Sequence, residues 1–257
     1  MLFSQDIGVD LGTANTLVFV KGKGIVIREP SVVAVDERTN PKTVVAVGAD
    51  AKRMIGRTPG SITAVRPIKD GVIADFDMTA DMLKEFIKRA ISSSPFNRAR
   101  VMICIPSGVT EVERRAVHDA AKSAGARYVS LIEEPMAAAI GAGLPVDEPT
   151  GSMVVDIGGG TTDVAVVQDG GVEGTKMFSI GGRSFTHQIA ESLGVDTATA
   201  ERYKLDFDSG KLDDRVKAKV EAALSRNLSV WLTGVEVSLE EFNIDGSLPR
   251  NVLLCGG

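Results

Sequence analysis

Apolar positions alternate with small or polar ones through residues 7–20, broken by Gly12-Thr13-Ala14-Asn15, and the arrangement returns at 153–167 around Gly158-Gly159-Gly160. Short apolar runs on either side of a glycine turn predict two β-hairpins. Further strands are expected at 24–27, 31–35, 43–47, 101–105, 128–132, 171–180 and 251–255. A helical period governs 77–91, where Met78, Met82 and Phe86 recur with Leu83 and Ile87 alongside. Thr110 and Glu113 form a capping box that opens a helix to Ala124, stopped by Gly125. Helices also follow at 136–142, 184–193 and 197–205, a short one at 49–55, and either one long helix or two over 213–242. The rhythm is that of an α/β protein.

The two hairpins share a grammar: apolar residues, an aspartate, an apolar residue, glycine, small hydroxyl residues, then a strand. Two such hairpins in one chain suggest two related domains. Glycines let a ligand approach the backbone, and a turn rich in N–H groups suits a phosphate. Thr161 and Thr162 add hydroxyls that can donate to a phosphate oxygen or hold a water. Asp10 and Asp156, placed just before the turns, can bind a hydrated divalent cation. Facing each other, the hairpins could grip one polyphosphate from both sides. An ordinary glycine-rich hairpin is the plainer alternative. Neither a Walker loop nor a Rossmann fingerprint is present. Glu134 stands at a strand end and a helix start, where an α/β sheet builds its cleft. It either orients a water there or complements the helix dipole.

Composition narrows the field. The chain has 257 residues, 44% of them hydrophobic, and a net charge of −5. That balance gives no reason to expect nucleic acid as a partner. No apolar run approaches the ~18 residues of a membrane span, and no signal peptide is visible. Cys104 and Cys255 sit in apolar runs, as buried free thiols would in a reducing cytoplasm. His118 and His187 have no partner at zinc-ligand spacing.

Several stretches, in order, resemble the actin, sugar-kinase and DnaK-type chaperone superfamily, and within it the MreB family of bacterial actins. They are residues 10–20, Arg66-Pro67, 70–75, 132–140 and 155–163. The resemblance implies an actin-like ATPase fold, two related ribonuclease H-like domains around a nucleotide cleft. Domain I would cover 1–147, with a small insertion over about 29–76, and domain II would cover 148–257. It implies ATP and Mg²⁺ as ligands, with Asp10 and Asp156 at the metal. Thr13, Ala14 and Asn15 match the first phosphate loop, and Gly158, Gly159, Gly160 and Thr161 the second. Glu134 and Thr161 match the pair that places the attacking water for slow hydrolysis. Glu201 and Lys204 match the adenosine-contacting helix, and Gly256 and Gly257 the start of the last adenosine motif.

By the same resemblance the protein would form filaments with itself on the inner face of the cell membrane. There it would act with membrane proteins of cell-wall synthesis to direct cell shape. Leu2 and Phe3, and Phe96 in an otherwise polar loop, match regions from which the family inserts apolar residues into the bilayer. Phe96 tucked under its own loop is the alternative. Two departures stand out. The family has an acid after Gly181-Gly182, where this chain has Arg183, and from there on the sequence reads more like FtsA or PilM. A non-polymerising ATP-binding adaptor of that kind is the second functional reading. Little chain is left for the family's fourth subdomain, so the sequence is expected to be either a fragment or a reduced member.

Overall fold

The computed structural model describes residues 5–39, 42–56, 60–69, 72–91, 99–242 and 249–256. Leu2, Phe3, Phe96 and Gly257 lie outside the described residues. The chain divides into two compact units, Met1–Ala137 and Ala138–Gly257.

In the first unit, β1 (Asp6–Leu11) and β2 (Asn15–Val20) form the first hairpin, and β3 (Gly24–Pro30) continues it. Next come β4 (Val33–Asp36), β5 (Thr43–Val47), α1 (Ala49–Met54), β6 (Ile62–Val65), β7 (Ile68–Lys69), β8 (Val72–Ile73), α2 (Phe76–Ala90), β9 (Arg100–Ile105), α3 (Glu111–Ser123) and β10 (Tyr128–Glu133). The main sheet has the order β10-β9-β1-β2-β3. Ile7, Val9 and Leu11 alternate inward with Val101, Ile103 and Ile105, and pack on Met82, Leu83, Phe86 and Ile87 of α2 and Val117 of α3. Both helices begin on caps that the sequence spells out. The Asp75 carboxylate accepts from Met78 N–H at 2.9 Å. Thr110 and Glu113 close the expected capping box.

A three-stranded sheet, β5-β4-β6, stands apart with α1 against it. Its third strand, and the pair β7–β8, were not expected. Both are short, and neither has enough turns of its own pattern to register as a strand. The strand expected over 31–35 starts only at Val33, so Ser31 lies in a loop.

The second unit begins inside α4 (Glu134–Gly141), which runs across the division. It holds β11 (Ser152–Ile157), β12 (Thr162–Gln168), β13 (Gly171–Phe178), α5 (Gly182–Leu193), α6 (Thr197–Asp208), α7 (Asp214–Glu241) and β14 (Asn251–Gly256). The stretch open between one helix and two is a single helix of 28 residues. The sheet order is β13-β12-β11-β14. Both sheets therefore share one scheme: a three-stranded antiparallel meander whose first strand also pairs in parallel with a later strand. That common topology is what the repeated hairpin grammar predicts. No helix among the described residues is long and apolar enough to cross a membrane.

Candidate nucleotide site

In the first unit, Asp10, Cys104 and Glu134 gather at the carboxyl ends of β1, β9 and β10. Asp10 is in register with Cys104, and Ile132 stands opposite Cys104 on the other side. Glu134 is the first residue of α4, with buried Pro135 behind it. Burial, with the charges of Asp10 and Glu134 adding to it, pushes the Cys104 thiol up to about 12. That thiol is a neutral packing group.

The first turn, Gly12-Thr13-Ala14-Asn15, connects β1 to β2, and a β-carbon on Gly12 would sit 2.7 Å from Asn15 O. Ser31 fixes this turn from below. Its hydroxyl donates to Gly12 O at 2.6 Å and lies 3.0 Å from Thr16 Oγ1, while its N–H donates to Ala14 O at 3.1 Å. Ser31 is fully buried. Sequence reasoning gave it no role. A lone polar residue between two apolar strands was the available signal.

In the second unit, Asp156 and Asp163 are cross-strand partners on β11 and β12. Burial raises the carboxyl of Asp156. Burial and then the neighbouring Asp156 raise Asp163 to about 6, against a hydrogen bond from Thr161 that draws it down. Asp163 was quoted in the motif without a role. The four-residue turn after Ile157 makes the pairing readable from spacing alone.

The glycine turn is closed by Gly158 N–H donating to Thr161 O at 2.9 Å. Two N–H groups at the start of α5 grip its outer side, Gly182 donating to Gly158 O at 2.9 Å and Arg183 to Gly159 O at 2.8 Å. Gly181 makes this approach possible, since a β-carbon there would lie 2.4 Å from Gly158 O. Thr161 is buried, with its hydroxyl against Asp163. Thr162 departs from the expectation of a phosphate donor. Its hydroxyl donates to Ile180 O and accepts from Trp231, so it is spent on the interior.

Glu201 and Lys204 sit together on α6. Lys204 Nζ donates to Gly182 O at 3.2 Å and to Thr186 Oγ1 at 2.9 Å, and lies 2.9 Å from the Glu201 carboxylate. Burial alone would raise Glu201, but the bonds from Lys204 and Thr186 outweigh it and leave the carboxyl lowered. The pair thus ties α6 to the start of α5, directly behind the glycine turn. Gly256 lies in register with Ile157, and at φ 114° a β-carbon would meet Ile157 O at 2.2 Å and Asp156 Oδ1 at 2.8 Å. Cys255, opposite Asp156, is raised to about 11 by burial and then by that aspartate. Among the described residues, no group of three or more His, Cys, Asp or Glu forms a protein-only metal cage. The carboxylates lie instead one or two to a turn.

Residues 4–241 match the family described as MreB/Mbl protein, well past the departure at Arg183. The chain is 56% identical over 225 residues to the cell shape-determining protein MreB of Escherichia coli strain K12, covering 84% of this chain and 65% of that one. It is 44% identical over 251 residues to the cell shape-determining protein Mbl of Bacillus subtilis strain 168, covering 98% of this chain and 71% of that protein. The crystal structure of MreB5 of Spiroplasma citri bound to AMPPNP superposes with a TM-score of 0.72 at 31% identity, over 99% of this chain and 85% of that one. The likeness to FtsA or PilM expected after Arg183 gives way to a match that continues through α7. With its duplicated sheets in the actin-like arrangement, the chain belongs to the MreB/Mbl protein family.

Proposed function

We propose that the protein binds ATP with Mg²⁺, hydrolyses it slowly, and assembles with itself into filaments on the cytoplasmic face of the cell membrane. There it directs cell shape together with membrane proteins of wall synthesis. The observation that carries this reading is the duplication: each unit offers one hairpin turn with an aspartate at the same sheet position. The relatives' description as cell shape-determining proteins supports the cellular role. The MreB5 structures bound to AMPPNP and to ADP support the ligand.

In this reading Thr13, Ala14 and Asn15 hold phosphate oxygens in the first turn, and Gly158, Gly159, Gly160 and Thr161 do so in the second. With the carbonyls of Gly158 and Gly159 committed to α5, the amide side of the turn is left for the anion. The oxygen ligands suit Mg²⁺, a hard ion that keeps several waters and needs only one or two carboxylates besides the phosphates. Asp10 and Asp156 fill that role. Glu134 orients or deprotonates the attacking water, with Thr161 beside it. Glu201, Lys204 and the Gly256-Gly257 turn line the nucleoside. Domain I is read as 1–147 and domain II as 148–257, the membrane contact falling to Leu2, Phe3 and Phe96.

Electron microscopy and pelleting of the purified chain, with and without Mg-ATP, test the assembly. Nucleotide-dependent filaments are expected; a chain that binds ATP but stays monomeric at high concentration fits the adaptor reading instead. Glu134→Ala is expected to slow single-turnover hydrolysis by ~10²–10⁴-fold with little change in ATP affinity. Unchanged hydrolysis removes Glu134 from the chemistry.

A further inference from the structure

The second turn carries a cation that the reading above does not use. Arg183 is the second residue of α5, and it stands where the resembling family has an acid. Its N–H donates to Gly159 O, which sets its side chain off beside the turn. The guanidinium then folds back over Gly159. A β-carbon placed there would lie 3.4 Å from Arg183 Nη1 and 3.9 Å from its Cζ. The side chain thus covers the bare face of the turn, and the residue is exposed to solvent.

Two other assignments for this charge fit less well. Asp156 and Asp163 are the carboxylates of the turn, yet both are raised, and no guanidinium is among the groups that act on them. Lys204, the other cation nearby, is already held by Glu201, Thr186 and Gly182 O. The guanidinium is the cation placed against the glycine on which a phosphate would rest. Its planar fork matches two phosphate oxygens, which an ammonium cannot do.

We propose that Arg183 is a phosphate ligand of the second turn, adding a protein-borne cation to the metal there and making nucleotide binding less dependent on Mg²⁺. This rests on the nucleotide-binding reading. The site would favour a triphosphate or a bare polyphosphate over a nucleoside, because only the phosphates reach Gly159.

The test is calorimetric binding of ATP, tripolyphosphate and adenosine to the full chain, in excess Mg²⁺ and in EDTA. Parent, Arg183→Ala, Arg183→Lys and Arg183→Asp are compared. In EDTA, Arg183→Ala is expected to weaken ATP and tripolyphosphate about tenfold, the loss of one or two charge-assisted bonds. Arg183→Lys recovers part of that loss, and Arg183→Asp loses more. With Mg²⁺ the losses shrink, and adenosine affinity stays at the parent value throughout. If Arg183→Ala binds tripolyphosphate as the parent does, Arg183 is no ligand and the nucleotide reading stands without it. An equal loss for adenosine makes the arginine a structural residue and overturns the proposal. A parent chain that binds neither ATP nor tripolyphosphate overturns both.

Discussion

Trp231 Nε1 donates to Thr162 Oγ1 at 2.8 Å, and the same hydroxyl donates onward to Ile180 O at 2.7 Å. The middle of α7 is thereby tied to the first residue after the glycine turn and to the strand exit that leads into α5. All three groups are removed from water, so each bond matters through the cost of leaving it unmade. Trp231→Phe keeps most of the packing and orphans one acceptor, for an expected loss of ~1 kcal/mol. Thr162→Val orphans the indole N–H and the carbonyl together, and ~2–3 kcal/mol is expected. Because both variants delete one shared bond, the double variant should lose less than the two single losses combined. Urea unfolding of the four proteins measures this. Strict additivity shows that the relay carries no coupling.

Much of this architecture was legible in the residues. The paired hairpins, the capping box at Thr110 and Glu113, and the apolar face of α2 follow from local period and cap chemistry, which the structure keeps. The roles of Ser31, Thr162 and Gly181 were not legible. Each depends on a partner far along the chain, Gly12, Trp231 and Gly158 respectively. Hydroxyl residues in a phosphate-like motif look alike in sequence, whether they face a ligand or the core. Thr161 and Thr162 are adjacent and differ in just that way, since successive strand residues point to opposite faces.

Ser31 holds the first turn through the carbonyls of Gly12 and Ala14. Ser31→Ala leaves the backbone bond to Ala14 intact and removes the hydroxyl between Gly12 O and Thr16. A stability loss of ~1–2 kcal/mol is expected, with weakened ATP binding beyond what the unfolded fraction explains. Ser31→Thr should restore part of both if the loop admits a methyl group. Affinity measured well below the melting temperature separates the two effects. An unchanged ATP affinity in Ser31→Ala removes Ser31 from the site.

Gly181 and Gly256 fail as alanine for different reasons. Gly181 has an extended backbone at φ −151°, open to any residue, so the obstacle is the carbonyl of Gly158 alone. Gly256 combines a left-handed φ of 114° with contact against Ile157 O and the Asp156 carboxylate. Gly181→Ala should cost ~1–3 kcal/mol by forcing α5 off the turn. Gly256→Ala should cost at least as much, and should also shift Asp156 and weaken Mg²⁺-dependent binding. Gly60→Ala, with nothing within 4 Å of the added carbon, is the control and should be near neutral. Thermal melts and Mg²⁺ titration of the three variants check the order. A Gly181→Ala protein as stable as the control contradicts the close approach.

Asp163 makes the second unit sensitive to pH near neutrality. Its carboxyl is raised from 3.8 to about 6, first by burial and then by Asp156. The folded state therefore holds a proton that the unfolded chain releases. The resulting stability is complete below ~4 and is lost as the pH rises through ~6. Asp6, Asp36 and Asp196 run the opposite way: hydrogen bonds from Arg100, Arg38 and Thr199 lower them, and their contribution fades as the pH falls. The parent's acid limb mixes these effects, and a single variant separates them. Asp163→Asn should be more stable than the parent at pH 8, by ~1–2 kcal/mol after allowance for solvent screening of a partly open group. The advantage should vanish towards pH 4, where the parent's own carboxyl is neutral. Metal binding carries the second half of the prediction. A proton on Asp163 leaves the Asp156 side of the turn with one negative charge fewer. Mg²⁺-dependent ATP affinity in the parent should therefore fall between pH 7 and 5. In Asp163→Asn it should be weaker at pH 7 and nearly flat over the same window. Denaturant midpoints and calorimetric affinities at four pH values measure both halves. A variant whose stability difference from the parent does not change with pH shows that Asp163 titrates as an ordinary surface carboxylate.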